Sequence, residues 1–216
     1  MSVQVPLTPE TLVRGLRILS ERDPDLNQIL ENLGPPPMWA RDPGFPTLMH
    51  IILQQQVSLA SAQAAYDRLL AAASPLTPTR FLELDDAQLK AAGFSRQKLA
   101  YGRHLARAMV EGRLSLSALG TMNDTAVRSE LTQVKGIGPW TADIYLLMAL
   151  RRPDIWPIGD LALAIAAQRL KRLAARPTPD ELDAIGAGWR PWRAVAARLL
   201  WHYYLNGLAG KSAQPS

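Results

Sequence analysis

The 216-residue chain contains no cysteine and only three histidines. The absence of cysteine excludes disulfide cross-links, thiol nucleophiles, cysteine-ligated zinc and iron–sulfur clusters. Three histidines do not indicate a metal site, and we expect His50, His104 and His202 to pack in the core or lie at the surface.

Long apolar runs are also missing, and the N-terminus lacks the basic start and apolar stretch of a secretory signal. A membrane span needs about 20 mostly apolar residues. We therefore expect a soluble cytoplasmic protein without membrane association. A chain of this length can form one large domain or two closely joined lobes, each with a buried core.

Positive charge is unevenly distributed along the chain, whose formal net charge is +5. Residues 1–127 hold twelve basic and twelve acidic residues, whereas residues 128–216 hold twelve basic and seven acidic residues. A basic C-terminal part favours a polyanionic partner. Composition alone is equally compatible with chance variation, so the charge needs a motif before it indicates a function.

Prolines that follow a capping side chain recur along the sequence, at Thr8-Pro9, Asp23-Pro24, Thr77-Pro78 and Thr178-Pro179. Such pairs start helices, because the side chain caps the first turn and proline is tolerated at the first helical position. Apolar residues between these starts follow helical spacing, and no segment shows the sustained alternation of a strand. The sequence therefore predicts an all-α protein with about ten helices.

The segment 125–150 predicts two helices joined by a glycine turn, KGIGP (135–139), with the second helix beginning at Pro139 or Trp140. A dinucleotide-binding loop is excluded, because it requires a preceding strand and a third glycine. Glycines before a helix N-terminus allow a phosphate to approach backbone N–H groups closely. An ordinary turn between two helices also uses glycine, so both interpretations stay open from this segment alone.

Several segments together resemble the helix-hairpin-helix (HhH-GPD) DNA glycosylases, specifically the 3-methyladenine DNA glycosylase II type. The resemblance covers roughly residues 41–208 and includes FPTLMHIILQQQVSLASA, GFSRQKLAYGRHLA, VKGIGPWTADIYLL, WPIGDLAL and WRPWRAVAARLLWHYY. Its most specific feature is the pairing of the hairpin with Asp160, which follows Gly138 by 22 residues in a G-D-x-A-L setting.

The resemblance implies an all-α, two-lobed helix-hairpin-helix glycosylase fold with the active-site cleft between the lobes. The whole of 1–216 would be one catalytic core. Lobe one would comprise about 41–152, with the hairpin at 132–141, and lobe two about 1–40 plus 153–208. Residues 209–216 would form a frayed tail, and the length leaves no room for the extra N-terminal domain of longer members.

In function, the resemblance implies a monofunctional glycosylase of base excision repair that flips out alkylated purines, such as 3-methyladenine, and hydrolyses the N-glycosidic bond. Asp160 matches the catalytic aspartate, whose ionised carboxylate stabilises the sugar cation. From the residues alone Asp160 is also a helix N-cap, and the two roles are compatible because a helix N-terminus stabilises a carboxylate. Strand-cutting relatives have a lysine nucleophile at the position of Trp140.

The resemblance assigns further residues to the base pocket and to DNA insertion. The base pocket would contain Trp140, Trp201, Tyr145 and Trp39, and a pocket tyrosine of some relatives falls on Ile144. Gln56 would be the wedge that fills the gap left by the flipped base. Core packing of the tryptophans and a solvated position for Gln56 are the alternatives.

The hairpin would bind DNA phosphates through Lys135, Gly136, Gly138 and Thr141, with Arg151, Arg152, Lys171 and Arg172 as further candidates. By the same resemblance, the backbone carbonyls of Thr132, Val134 and Ile137 would hold a structural Na+ or K+. No other cofactor is expected to be required, and an iron–sulfur cluster is excluded.

We expect a monomer whose partner is double-stranded DNA with damaged bases, located on the nucleoid if the source is bacterial. Two alternatives stay open: a non-catalytic helix-hairpin-helix DNA-binding module, and a glycosylase for deaminated or oxidised bases. An intact pocket with Asp160, Trp140 and Trp201 favours an enzyme, because DNA binding alone requires none of them.

Overall fold

The computed structural model of the protein describes residues 5–208. Over this range the chain is helical, without a strand, which confirms the predicted all-α fold. None of the helices in this range is long and apolar enough to cross a membrane. The elements are α1 (Pro9–Arg22), α2 (Pro24–Leu33), α3 (Phe45–Gln54), α4 (Leu59–Ala72), α5 (Pro78–Glu83), α6 (Asp86–Ala91), α7 (Arg96–Val110), α8 (Leu116–Leu119), α9 (Asp124–Thr132), α10 (Pro139–Met148), α11 (Leu161–Leu170), α12 (Pro179–Ala187), α13 (Arg193–Tyr203) and a π-helical turn (Tyr204–Leu208).

The thirteen α-helices of residues 5–208 exceed the expected number because three of them, α5, α6 and α8, have only four to six residues. Apolar periodicity does not reveal helices of one or two turns. Contacts divide the described chain into two compact units. The first unit is the continuous stretch 41–150, and the second unit combines 5–40 with 151–208.

In the first unit, α3 lies at the centre of the core. Its segment FPTLMHIILQ is apolar on most sides, and Leu48, Met49 and Ile51 are fully buried. Helices α4, α7 and α10 pack around it. Gly102 lets α7 approach α5 closely, because a Cβ atom at this position would collide with the ring of Phe81 in α5. The core of this unit therefore supports both the end of α3 and the start of α10.

In the second unit, α13 has the central position, and every residue from Arg193 to Trp201 is buried. Helices α1, α2, α11 and α12 pack against it. Arg198 has no exposed surface, and it donates hydrogen bonds to the carbonyls of Met38 and Ala194, both at 2.9 Å. Burial lowers the pKa of Arg198 to about 10.

Asp23 joins three parts of the second unit. It caps α2 by accepting the N–H of Asp25 at 3.0 Å. The Nζ atom of Lys171 donates to both of its carboxylate oxygens, at 2.8 and 2.9 Å, and the indole N–H of Trp189 donates at 2.8 Å. Lys171 also contacts Asp25 at 2.8 Å. A single carboxylate therefore links α2 to the ends of α11 and α12.

This cluster predicts an acid-sensitive part of the stability. Burial alone would raise the pKa of Asp23, but the hydrogen bonds from Lys171 and Trp189 outweigh it and lower the pKa below the ordinary 3.8. The carboxylate therefore stabilises the fold fully above pH 3.8, and this contribution disappears as the pH falls through the lowered pKa. We expect Asp23→Asn to cost about 2 kcal/mol at pH 7. Thermal unfolding from pH 7 to pH 2 should show this difference shrinking in acid, and a constant difference would contradict the expectation.

Candidate functional site

The hairpin of the first unit lies between α9 and α10. Gly138 is the N-cap of α10 and Pro139 its first residue. The first backbone hydrogen bond of α10 joins the N–H of Ala142 to the carbonyl of Gly138 at 3.1 Å. The N-terminus of α10, with its partial positive charge, therefore opens on the glycine turn. The salt bridge between Arg128 and Asp143, 2.6 Å long, connects the two helices behind this turn.

The two glycines of the turn have different surroundings. Gly136 has a φ of +104°, and a Cβ atom there would overlap the ring of Tyr101 in α7. Gly138 has an ordinary φ of −89°, and a Cβ atom there would meet no heavy atom of the described chain within 4 Å. Gly136 is therefore required by backbone conformation and packing, whereas Gly138 keeps the outer side of the turn open.

The end of α3 contacts the same hairpin. The side-chain amide of Gln55 donates to the carbonyl of Gly136 at 3.0 Å and to the hydroxyl of Thr141 at 2.9 Å. Lys98 of α7 donates to the carbonyl of Leu53 at 2.6 Å. Gln56, the wedge candidate, follows Gln55 with an exposed side chain and a φ of +55°.

Sequence reasoning singled out Gln56 and overlooked Gln55, Lys98 and Tyr101. These three residues lie in segments that belong to the resemblance, namely the run of three glutamines and GFSRQKLAYGRHLA, so the segments were the available indication of a role. No spacing rule links a side chain near residue 55 to a turn more than 80 residues later.

Asp160 lies in the second unit as the N-cap of α11, as the pattern indicates. One carboxylate oxygen, Oδ1, accepts the N–H of Leu163 at 2.9 Å and the indole N–H of Trp201 at 3.1 Å. The ring of Trp201 meets that of Trp39 edge to face, with 6.3 Å between centroids. The second unit therefore brings together Asp160, Trp201 and Trp39, and it fixes the carboxylate with two donors.

Two other predicted site residues are buried in the first unit. Tyr145 has no exposed surface, and its hydroxyl accepts the N–H of Gly44 at 3.1 Å. Burial raises the pKa of Tyr145 to about 12. Its side chain packs in the core of the first unit, and its pocket role stays a prediction. Thr141 is 1% exposed and hydrogen-bonded to Gln55, so only its backbone could serve a phosphate.

The remaining candidates divide by exposure. Trp140 is half-buried, and Lys135 is exposed at the turn. Of the four further phosphate candidates, Arg151 and Arg172 are exposed. Arg152 is 1% exposed and Lys171 is paired with Asp23 and Asp25, so these two do not present free cationic groups at the surface.

Two of the three histidines pack against neighbouring groups. His50 stacks on Tyr66 with 4.2 Å between ring centroids, and burial lowers its pKa to about 4. His202 contacts the carbonyl of Leu33 at 3.1 Å. Within residues 5–208, no three acidic or histidine side chains form a cluster that could hold a metal ion.

The all-helical fold, the Gly-x-Gly hairpin before α10 and the aspartate-capped α11 are the arrangement that the resemblance to helix-hairpin-helix DNA repair proteins implies. Residues 49–191 match the HhH-GPD superfamily of base excision DNA repair proteins, and the chain belongs to that superfamily.

Curated relatives carry glycosylase names. A putative DNA-3-methyladenine glycosylase of Bacillus subtilis is 32% identical over 162 residues, which cover 71% of this chain and 56% of that protein. DNA-3-methyladenine glycosylase 1 of Schizosaccharomyces pombe is 26% identical over 187 residues, covering 85% of this chain and 82% of that protein. The chain spans only 39% of a second Bacillus subtilis DNA-3-methyladenine glycosylase, to which it is 36% identical. It thus matches about half the length of these bacterial relatives.

Solved structures share the fold over most of the chain. The 3-methyladenine DNA glycosylase of Schizosaccharomyces pombe, solved with abasic DNA, superposes with a TM-score of 0.82 at 25% identity. The superposition covers 87% of this chain and 95% of that one. A DNA-3-methyladenine glycosidase of Bacillus halodurans has a TM-score of 0.73 at 29% identity, covering 94% of this chain and 92% of that one.

Proposed function

We propose that this protein is a monofunctional DNA glycosylase that releases alkylated purines, 3-methyladenine among them, from double-stranded DNA. The observation that carries the proposal is the fixed carboxylate of Asp160, held by Leu163 and Trp201 at the start of α11. The superfamily membership and the glycosylase names of the relatives support it. DNA binding alone does not require a carboxylate at this position, whereas stabilisation of a sugar cation does.

The chemistry requires a negative charge near the sugar. Loss of an alkylated base leaves positive charge on the deoxyribose, and a carboxylate stabilises that charge as it develops. At a separation of ~4 Å and an effective dielectric of ~20, the attraction is about 4 kcal/mol. This corresponds to roughly a thousandfold in rate. A cationic alkylated base is already a good leaving group, so Asp160 needs no separate general acid, and it can also orient the attacking water.

The aromatic residues suit a flat cationic base. Trp140 in the first unit and Trp39 in the second are half-buried and provide electron-rich ring faces, which attract cationic alkylpurines. Trp201 is buried, and its indole N–H orients Asp160. Trp140 occupies the position at which strand-cutting relatives have a lysine nucleophile. Without that amine, attack on the sugar comes from water, which leaves an abasic site in an uncut strand.

The hairpin binds the phosphates of the DNA backbone. The N-terminus of α10, the open side of Gly138 and the exposed Lys135 offer positive charge and close approach to a phosphate. Because phosphate contacts release counterions, we expect the affinity for undamaged duplex to fall steeply as salt rises. An affinity that stays constant from 50 to 200 mM salt would contradict this phosphate binding.

A further proposal concerns a monovalent cation at the end of α9. This helix ends at Thr132, so carbonyls of its last turn point out of the helix, and the Val134 carbonyl accepts only the N–H of Ile137 among the backbone bonds of the turn, at 2.9 Å. We propose that Thr132, Val134 and Ile137 hold Na+ or K+ through backbone oxygens. Such an ion would add positive charge beside the hairpin.

A base-release assay tests the proposed function. Methylated duplex DNA and duplexes with hypoxanthine, ethenoadenine or 8-oxoguanine are incubated with the protein, and free bases are separated by chromatography. We expect release of methylated purines, with strand breaks appearing only after alkali treatment. Release of deaminated or oxidised bases alone would replace the substrate class, and duplex binding without release would indicate a non-catalytic module. Strand cleavage without alkali, or trapping by borohydride, would refute the monofunctional mechanism.

A further inference from the structure

Helix α3 ends at Gln54, the first of three consecutive glutamines, and each of the three has different surroundings. Gln54 accepts a hydrogen bond from Arg41 at 3.4 Å. Gln55 turns its amide to the hairpin, and Gln56 is exposed. Three side chains of identical chemistry therefore make different contacts, and a substitution at each position can compare the effects of losing them.

The amide nitrogen of Gln55 is occupied by the hairpin. Both N–H bonds of its nitrogen are used, one by the carbonyl of Gly136 and the other by the hydroxyl of Thr141. These acceptors are themselves fixed, since Gly136 packs on Tyr101 and Thr141 is 1% exposed. The side chain therefore connects the end of α3 to a rigid part of the turn and to the first turn of α10.

The same end of α3 has a second restraint from α7. Lys98 donates to the carbonyl of Leu53, one of the last carbonyls of α3, where a cation also complements the helix dipole. The ring of Tyr101, one turn further along α7, packs against Gly136. Helix α7 therefore supports the α3 end and the hairpin together, and Gln55 connects the two directly.

Gln56 has a backbone conformation that depends on its neighbours. Its φ of +55° is uncommon for a residue other than glycine and persists only where the surroundings enforce it. Gln55 is anchored on one side, and on the other Ser58 caps α4 by accepting the N–H of Ser61 at 3.2 Å. The short turn between these anchors is held at both ends, while the side chain of Gln56 faces solvent.

We propose that Gln55 is a positioning residue that fixes Gln56 relative to the phosphate-binding hairpin, so that binding of the backbone and insertion into the duplex occur as one event. The inference rests on the proposed function and on Gln56 as the wedge. Because the turn is ordered before DNA binds, insertion of Gln56 requires little further loss of conformational freedom. Loss of the Gln55 amide would free the wedge while leaving the hairpin itself in place.

The test compares binding to a duplex with an abasic-site analogue against binding to the undamaged duplex, for Gln54→Ala, Gln55→Ala, Gln56→Ala and the double variant Gln55→Ala/Gln56→Ala. Fluorescence of 2-aminopurine placed opposite the analogue reports insertion. We expect Gln55→Ala and Gln56→Ala each to weaken binding of the abasic duplex about tenfold, with undamaged duplex little affected. The double variant should be no weaker than Gln56→Ala, and Gln54→Ala should behave as wild type.

A further variant, Gln55→Met, keeps the length and packing of the side chain and loses only the hydrogen bonds. It should reproduce the defect of Gln55→Ala with a similar unfolding temperature. Additive effects in the double variant, an equal loss of affinity for undamaged duplex, or wild-type fluorescence in Gln55→Met would overturn the inference. If wild type shows neither base release nor preference for the abasic duplex, the proposed function itself fails, which is a different result.

Discussion

Asp160→Asn is expected to slow base release about a thousandfold under single-turnover conditions, while duplex affinity changes little. Asparagine is a good N-cap, and its carbonyl oxygen can still accept the N–H of Leu163 and the indole N–H of Trp201. The substitution therefore removes the negative charge and keeps the local structure. Rates measured on methylated duplex at saturating protein separate this chemical effect from binding.

The chain offers a matched control in the same unit. Asp23 is also an N-cap that accepts an indole N–H, from Trp189, so Asp23→Asn is the same chemical change at a second indole-bonded N-cap. It differs from Asp160→Asn in that it also removes the ion pair with Lys171. We expect Asp23→Asn to lower the unfolding temperature and leave the rate of base release per folded molecule within about twofold. Base release by Asp160→Asn at more than a tenth of the wild-type rate would contradict the proposed role of the carboxylate.

Gly136→Ala is expected to destabilise the protein by about 3 kcal/mol, because strained backbone and overpacking each contribute about 1–3 kcal/mol. The added methyl group would overlap the ring of Tyr101, at a φ of +104° that disfavours any side chain. For a domain of this size the loss corresponds to a fall of roughly 6–12 °C in unfolding temperature. Calorimetry measures the fall, and a salt titration of duplex affinity shows whether the hairpin still binds phosphates.

Gly138→Ala distinguishes a role of the turn in folding from a role in phosphate binding. A methyl group at Gly138 would meet nothing of the described chain within 4 Å, so we expect a change of stability within about 0.5 kcal/mol. The same methyl group stands on the open side of the turn, where a phosphate would approach. We expect duplex affinity to fall about tenfold, the effect of about 1.4 kcal/mol. Unchanged affinity in a stable Gly138→Ala protein would argue against phosphate binding at this turn.

The sequence predicted those features that depend on neighbours in the chain. The all-α fold and the helix starts at Thr8, Asp23 and Asp160 follow from capping side chains and apolar spacing, and the structure has each of them. The glycine turn was visible because the helices on both sides lie next to it in sequence. For Asp160, the N-cap position is present in the structure, and the catalytic role stays a prediction for the assay to test.

Features that depend on distant contacts escaped prediction. The pairing of Lys171 with Asp23 joins residues 148 positions apart, so Lys171 could not be recognised as occupied. Tyr145 lies in an aromatic and apolar motif that suits a pocket and a core equally, and only the fold shows that its ring is buried. Gln55 and Gln56 are identical in type and adjacent, so composition cannot tell which of them faces the hairpin.

The division of the chain into units has a consequence for how the protein is made. The first unit is one uninterrupted stretch of 110 residues, whose contacts can form as soon as it leaves the ribosome. The second unit needs both ends of the chain, and its Asp23–Lys171 contact must close a loop that contains the whole first unit. Closure of such a loop is slow relative to local contacts. The hairpin can therefore fold before Trp201 reaches Asp160, and the nascent chain then has its proposed phosphate-binding turn before its proposed catalytic group is fixed in place.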